Sequence, residues 1–203
     1  MPSAWQLGVK RVLDVVVASA LLILLAPLLL AIAVAIKLGS RGPILYRWDV
    51  VGQDGRPFTG YKFRTMVENA DALKQELWTQ NEMQGPVFKI KTDPRVTPLG
   101  RVLRKFSLDE LPQLWSVLKG DMSLVGPRPP LQSEYAHFTE YQKRKLGFKP
   151  GITCLWQVSG RNEIRDFDEW VRLDLEYIEN WSLGLDLKIL LRTIPAILNG
   201  TGR

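Results

Sequence analysis

VVVASALLILLAPLLLAIAVAI, residues 15–36, carries no charged side chain over 22 consecutive positions. As a helix it would run about 33 Å, long enough to cross the hydrocarbon core of a bilayer. It is too long for a signal peptide and lacks a small-residue cleavage site. Pro27 lies near its middle, where it removes a backbone hydrogen bond and crowds the preceding turn. Cations stand at both ends, Lys10 and Arg11 before it and Lys37, Arg41 and Arg47 after it. Positive charge favours the cytoplasmic side, so both ends belong on one face. A helix that enters, breaks near Ala26-Pro27 and returns satisfies both facts; an ordinary Pro-kinked spanning helix, which membranes tolerate, is the alternative that the residues leave open. Either way the segment binds membrane, and Lys10 and Asp14 are expected at its interface.

The whole chain has 203 residues and a net charge of +6, with an isoelectric point near 9.5. That surplus suits anionic partners such as acidic headgroups or phosphorylated substrates. No dense basic block or basic helix suggests a duplex reader, so nucleic acid is not an expected partner. Cys154 is the single cysteine, which excludes an intrachain disulfide and fits a reducing compartment. His137 is the single histidine, which excludes multi-histidine metal sites. Catalysis must then rest on carboxylates, Lys, Arg and an oxygen-ligated cation.

After the breaker at 39–43, residues 44–51 and 58–66 read as two strands around the turn cluster 53–57, a β-hairpin. Period-two alternation puts Lys62 and Arg64 on one face, where they suit a phosphate or simply solvent. Residues 67–83 read as a polar surface helix, 85–98 as a loop-rich connector and 99–118 as helix in two pieces. A turn-rich segment at 120–130 precedes a charged helix at 134–146, and the apolar stretch 152–158 lies between loops. Two further helices end the chain, the last interrupted at Pro195. The fold class is therefore mainly α with a small hairpin (α+β). The Trp and Tyr residues of the final fifty positions suit interfacial amphipathic helices or ordinary core packing equally well.

The chemistry concentrates in LRKFSLDELPQ, residues 103–113. Read structurally, Ser107 and Glu110 form a capping box that opens a helix, with Asp109 complementing its dipole. Read chemically, a carboxylate held ionised by a helix terminus and by cations is a nucleophile or a ligand for a hard cation. Arg104 precedes Asp109 by five residues. Arg128, stiffened between Pro127 and Pro129, follows it by nineteen and suits bidentate phosphate recognition. With Lys62 and Arg64 these side chains could neutralise a diphosphate.

KFRTM (62–66), LRKFSLDELPQLWSVLKGDMSLVGPRP (103–129), PGIT (150–153), LWQVSGRN (155–162) and LDLKILLRTI (185–194) resemble the bacterial sugar transferases, the monotopic polyprenyl-phosphate phosphoglycosyl transferases. The likeness runs from the apolar segment to the C-terminus, and the LDELPQ-to-GPRP combination is its most specific part. It implies a re-entrant membrane helix hinged at Pro27. It further implies that Asp109 is the nucleophile and Glu110 its partner, in an active site holding Mg²⁺ between them. Lys62, Arg104 and Arg128 match phosphate-handling positions, and Arg161 and Asn162 are candidates for holding the nucleotide. The implied reaction moves a phosphosugar from a UDP-sugar to polyprenyl (undecaprenyl) phosphate, releasing UMP and initiating cell-surface glycan synthesis.

On this reading residues 1–43 are the embedded helix with its flank, and 44–203 a catalytic domain on the cytoplasmic face of a bacterial inner membrane. The chain resembles the minimal catalytic unit, its partners are donor, acceptor and membrane lipid, and a homodimer is compatible with them. Where the family commonly has PGITG, this chain has Cys154. Two other readings compete. Asp166-Phe167-Asp168 could be the D-x-D site of a metal-dependent glycosyltransferase, or the chain could be a membrane-anchored scaffold without turnover.

Overall fold

A computed structural model describes residues 2–160, 164–200 and 202. The apolar run forms two helices, α1 (Ala4–Leu24) and α2 (Ala26–Gly39), bent by 61° at Leu25. Helical bonding stops at Leu25 N to Leu21 O and resumes at Leu29 N to Leu25 O. Between them Pro27, near the start of α2, has no N–H to give, so the break falls where the sequence places it. Among the described residues no single helix is long and apolar enough to cross a membrane; the bent pair together reaches that length and apolar composition. Its bend agrees with a re-entrant helix. Ser3 opens α1 through a capping box with Gln6, whose side chain accepts from Ser3 N at 2.9 Å.

The two helices present different faces to the rest of the chain. On α1 the buried residues are Lys10, Asp14 and Ala18, one stripe at fourfold spacing, while Val12, Val16, Ile23 and Leu24 are exposed. On α2 only Ile32 and Ile36 are buried, packed with Phe63 and Leu103. Lys10 and Asp14 are thus not interfacial side chains facing headgroups. Lys10 Nζ lies 2.5 Å from Asp186 and 3.0 Å from Val125 O, and Asp14 accepts from Leu124 N at 3.0 Å. A charged side chain in a mostly apolar helix is tolerated where protein partners replace water.

Beyond α2, β1 (Leu45–Val51) and β2 (Pro57–Phe63) form an antiparallel hairpin, with Leu45 opposite Phe63 and Val51 opposite Pro57. Its turn puts Asp54 and Gly55 in the left-handed region. The polar helix is shorter than its sequence suggests, α3 (Ala70–Glu76) with a 3₁₀ turn after it. Then come α4 (Pro98–Lys105), a 3₁₀ segment Leu108–Gln113 and α5 (Leu114–Lys119).

A second pairing was not foreseen. β3 (Ser123–Val125) runs parallel to β4 (Gly151–Thr153), Ser123 opposite Gly151. Between them lie the short helices α6 (Gln132–Tyr135) and α7 (Glu140–Lys143). The glycines of VGPRP and PGIT belong to this contact: a Cβ on Gly151 would collide with the Gly126 backbone, and one on Gly126 with Lys149 O. Gly151→Ala is therefore expected to lower stability by about 2–3 kcal/mol, read as a lower thermal midpoint in detergent, because backbone cannot swing aside.

The chain closes with α8 (Phe167–Glu179) and α9 (Leu183–Leu198). One core cluster stacks Trp156 on Trp170 at 4.1 Å with Phe167 and Phe138 nearby. A second joins Ala18 of α1 to Leu114, Val117, Met122, Tyr177 and Ile189. Of the two readings of the C-terminal aromatics, core packing holds for Trp156, Trp170 and Tyr177. The amphipathic surface belongs instead to α9, which exposes Leu187, Leu191, Ile194 and Leu198.

Candidate active site

The site is assembled by docking the end of the hairpin onto the segment between α4 and α5. Lys62 reaches Glu110, Nζ to Oε1 2.7 Å, and lies 4.2 Å above the Trp48 ring on the neighbouring strand. Phe63 enters the core with Leu103. Thr65 Oγ1 accepts from Arg104 Nε at 2.9 Å, and Thr65 O accepts from Thr97 N at 2.9 Å. Gly100 lies so close to Thr65 O that a Cβ there would clash. Met66 bridges to Val96. The KFRTM motif is thus a clasp in which Lys62, Phe63, Thr65 and Met66 each hold a different part of the stretch from Val96 to Glu110 that carries Asp109.

Ser107 makes the turn that aims this segment. Its φ of 53° is left-handed, unusual for a residue with a side chain, and the expected capping box does not form. Ser107 makes no capping bond, and Glu110 is drawn to Lys62. A left-handed residue between α4 and a 3₁₀ segment redirects the chain so that Asp109 points inward, only 9% exposed. Backbone strain of this kind costs on the order of 1 kcal/mol and is common where a catalytic side chain must be aimed.

Asp109 differs electrostatically from the sequence expectation. Burial and the neighbouring Glu110 carboxylate push its carboxyl up to about 6, against the pull of Lys62 and Arg104. The segment is too short and too tight to act as a strong helix dipole, so desolvation wins. Burial also lowers the Arg104 guanidinium, opposed by Asp109 and Asp93. Asp93 in turn is clasped by Arg95 at 2.6 Å.

The structure brings Lys62, Arg104, Asp109 and Glu110 together. Two other predicted cations have partners of their own. Arg64 lies just past the end of β2; its guanidinium donates to Arg41 O, Ser40 O and Ser40 Oγ, closing the C-terminus of α2. Arg128 faces Glu134, Nη1 to Oε2 3.8 Å, and its charge acts on buried Asp174. Arg161 and Asn162 lie outside the described residues. The D-x-D pair has structural work: Asp166 caps α8 by accepting from Asp168 N at 2.9 Å, and Asp168 accepts from Gln142 at 2.7 Å. Trp48 and Thr65 were not foreseen as site residues, although Thr65 sits within the quoted motif.

The sequence profile of the bacterial sugar transferases matches residues 5–200. The chain belongs to that family. It is 53% identical over 161 residues to the galactosyl transferase CpsE of Streptococcus agalactiae serotype III, covering 79% of this chain and 36% of that protein. It is 43% identical over 197 residues to the exopolysaccharide production protein ExoY of Sinorhizobium fredii, covering 95% of this chain and 87% of the relative. The same identity over 197 residues links it to the undecaprenyl-phosphate galactose phosphotransferase of Salmonella typhimurium, covering 95% of this chain but 41% of that protein. This sugar transferase chain therefore spans between about a third and most of the length of its relatives.

Proposed function

We propose that this chain transfers a phosphosugar from a UDP-sugar to polyprenyl phosphate at the cytoplasmic face of a bacterial membrane. The observation that carries the reading is buried Asp109 beside half-buried Glu110, with Lys62 and Arg104 next to them. The relatives' names support the substrate class, one naming undecaprenyl phosphate and galactose.

In the first half-reaction an Asp109 carboxylate oxygen attacks the sugar-bearing phosphorus. The bond from that phosphorus to the bridging oxygen breaks, and UMP leaves with the oxygen. The enzyme retains an acyl phosphate to the sugar. In the second, an oxygen of polyprenyl phosphate attacks the same phosphorus, the bond to Asp109 breaks, and the carboxylate is restored with a polyprenyl diphosphate sugar released. Lys62 and Arg104 lie where they can offset charge on the transferring oxygens. Burial keeps water from the acyl phosphate, and Lys62 fixes Glu110 beside the nucleophile.

Two crowded carboxylates fit a magnesium ion, which takes one or two protein carboxylates and completes its shell with water and substrate phosphate. Among the described residues no group of three or more acidic, His or Cys side chains is placed to hold a metal ion, so the remaining ligands here would be water and substrate phosphate. When bound, the ion would supply positive charge to the phosphate oxygens.

Purified protein with donor alone should release UMP and gain the mass of one phosphosugar; UDP as product rules this chemistry out. A panel including UDP-galactose and UDP-glucose identifies the sugar. Because Asp109 must be ionised to attack, the rate of adduct formation should rise with pH, reach half its maximum at about 6 and level off roughly one unit above that. A flat profile from pH 5 to 8 would exclude Asp109 as the titrating nucleophile.

A further inference from the structure

Beside the carboxylate pair lies an apolar cleft of about 170 Å³. Leu21 of α1, Leu114 of α5, Leu124 of β3, Ile152 of β4 and Leu190 of α9 form its walls, and the turn with Ser107 and Glu110 forms one border. The cleft is apolar for a reason. The Thr193 hydroxyl donates to Ile189 O at 2.8 Å and meets Thr153 Oγ1 at 2.8 Å, so the hydroxyls of both lining threonines are already matched. Gln157 Oε1 accepts from Cys154 N at 3.1 Å. Glu110 is the one charged residue among the described lining residues, and it is joined to Lys62. The cleft also lies beside an exposed apolar surface. Leu21 precedes the break at Leu25 by four residues, and the exposed Ile23, Leu24, Leu187, Leu191 and Ile194 lie on the same two helices that wall it.

A ligand complementary to these walls is a hydrocarbon chain with one anionic end, lying in lipid and ending at Lys62 and Arg104. We infer that the cleft receives the isoprene units nearest the phosphate of the polyprenyl phosphate acceptor. This rests on the function proposed above and adds where the carrier's tail is gripped. The grip sets the direction of approach: the phosphate arrives at Asp109 from the α1–α9 side.

The test uses the full chain in lipid nanodiscs, comparing wild type with Leu190→Trp, which fills the cleft, and Leu190→Ala, which widens it. Two quantities are read: phosphosugar adduct formed from donor alone, and KM for undecaprenyl phosphate. Expected is adduct formation within about twofold of wild type in both variants, with KM raised at least about tenfold by the tryptophan and less by the alanine. Should the tryptophan variant fail to form adduct through misfolding, the alanine variant and Thr193→Ile decide by the same KM reading. Normal adduct with unchanged acceptor KM overturns the cleft assignment, leaves the phosphosugar chemistry standing, and marks the space as one for ordinary bilayer lipid. Absence of any adduct in wild type removes both.

Discussion

Asp109→Asn is expected to abolish transfer and to raise the melting temperature of the same protein. The asparagine has no anionic oxygen to attack phosphorus, so neither UMP release nor adduct should survive. The gain in stability follows from linkage. Asp109 has a carboxyl at about 6 in the folded chain, above its ordinary value of 3.8. A carboxyl raised on folding favours the native state fully below pH 3.8, and that benefit is lost as pH climbs through about 6. At pH 7.5 the folded protein therefore carries an unfavourable charge of on the order of 2–3 kcal/mol. Removing it should raise the midpoint by several degrees, since about 1 kcal/mol moves a domain of this size by roughly 2–4 °C. Melts at pH 7.5 and pH 5 check the sign, because the gap between variant and wild type must narrow as wild-type Asp109 takes up its proton. A variant less stable than wild type at pH 7.5 would mean that Lys62 and Arg104 outweigh burial. Activity and stability are opposed at this residue.

Lys10→Met should be the most damaging substitution outside the site. Lys10 meets Asp186 at 2.5 Å with both side chains buried, and Asp186 also accepts from the Tyr177 hydroxyl at 2.7 Å and from Trp181 Nε1 at 3.3 Å. Without its cation, Asp186 becomes a buried charge held only by neutral donors, a loss of about 3–5 kcal/mol. The thermal midpoint should then drop by roughly 10 °C. Lys10→Met combined with Asp186→Asn should recover a large part of that drop, because the stranded charge is gone. A double variant no better than the single one would show that Lys10 acts through packing rather than through its charge.

Much of this architecture is legible along the chain because it depends on local pattern. The break near Pro27 follows from a missing N–H, and the hairpin from alternation around a turn cluster. The carboxylate pair is readable as a motif. The parts that are not legible depend on distant partners. Nothing near Arg64 in sequence reveals that Ser40 and Arg41 will present carbonyls to it. Nothing in SLDE distinguishes a capping box from a left-handed Ser107, because the choice is made by Lys62 pulling on Glu110 across 48 positions. The parallel pairing of Ser123 with Gly151 leaves only glycines as a trace. The Asp109 charge was misjudged for a related reason, since burial is a property of the whole fold.

The stripe of Lys10, Asp14 and Ala18 has a bearing on biogenesis. Lys10 finds Asp186 176 positions later and Val125 O 115 positions later. While a ribosome is still making the chain, α1 displays an ammonium and a carboxylate with nothing to cover them. Its seating against the body must await the synthesis of α9, so the helix pair should settle into its final place late, as a step coupled to closure of the C-terminal half rather than as an early, independent insertion.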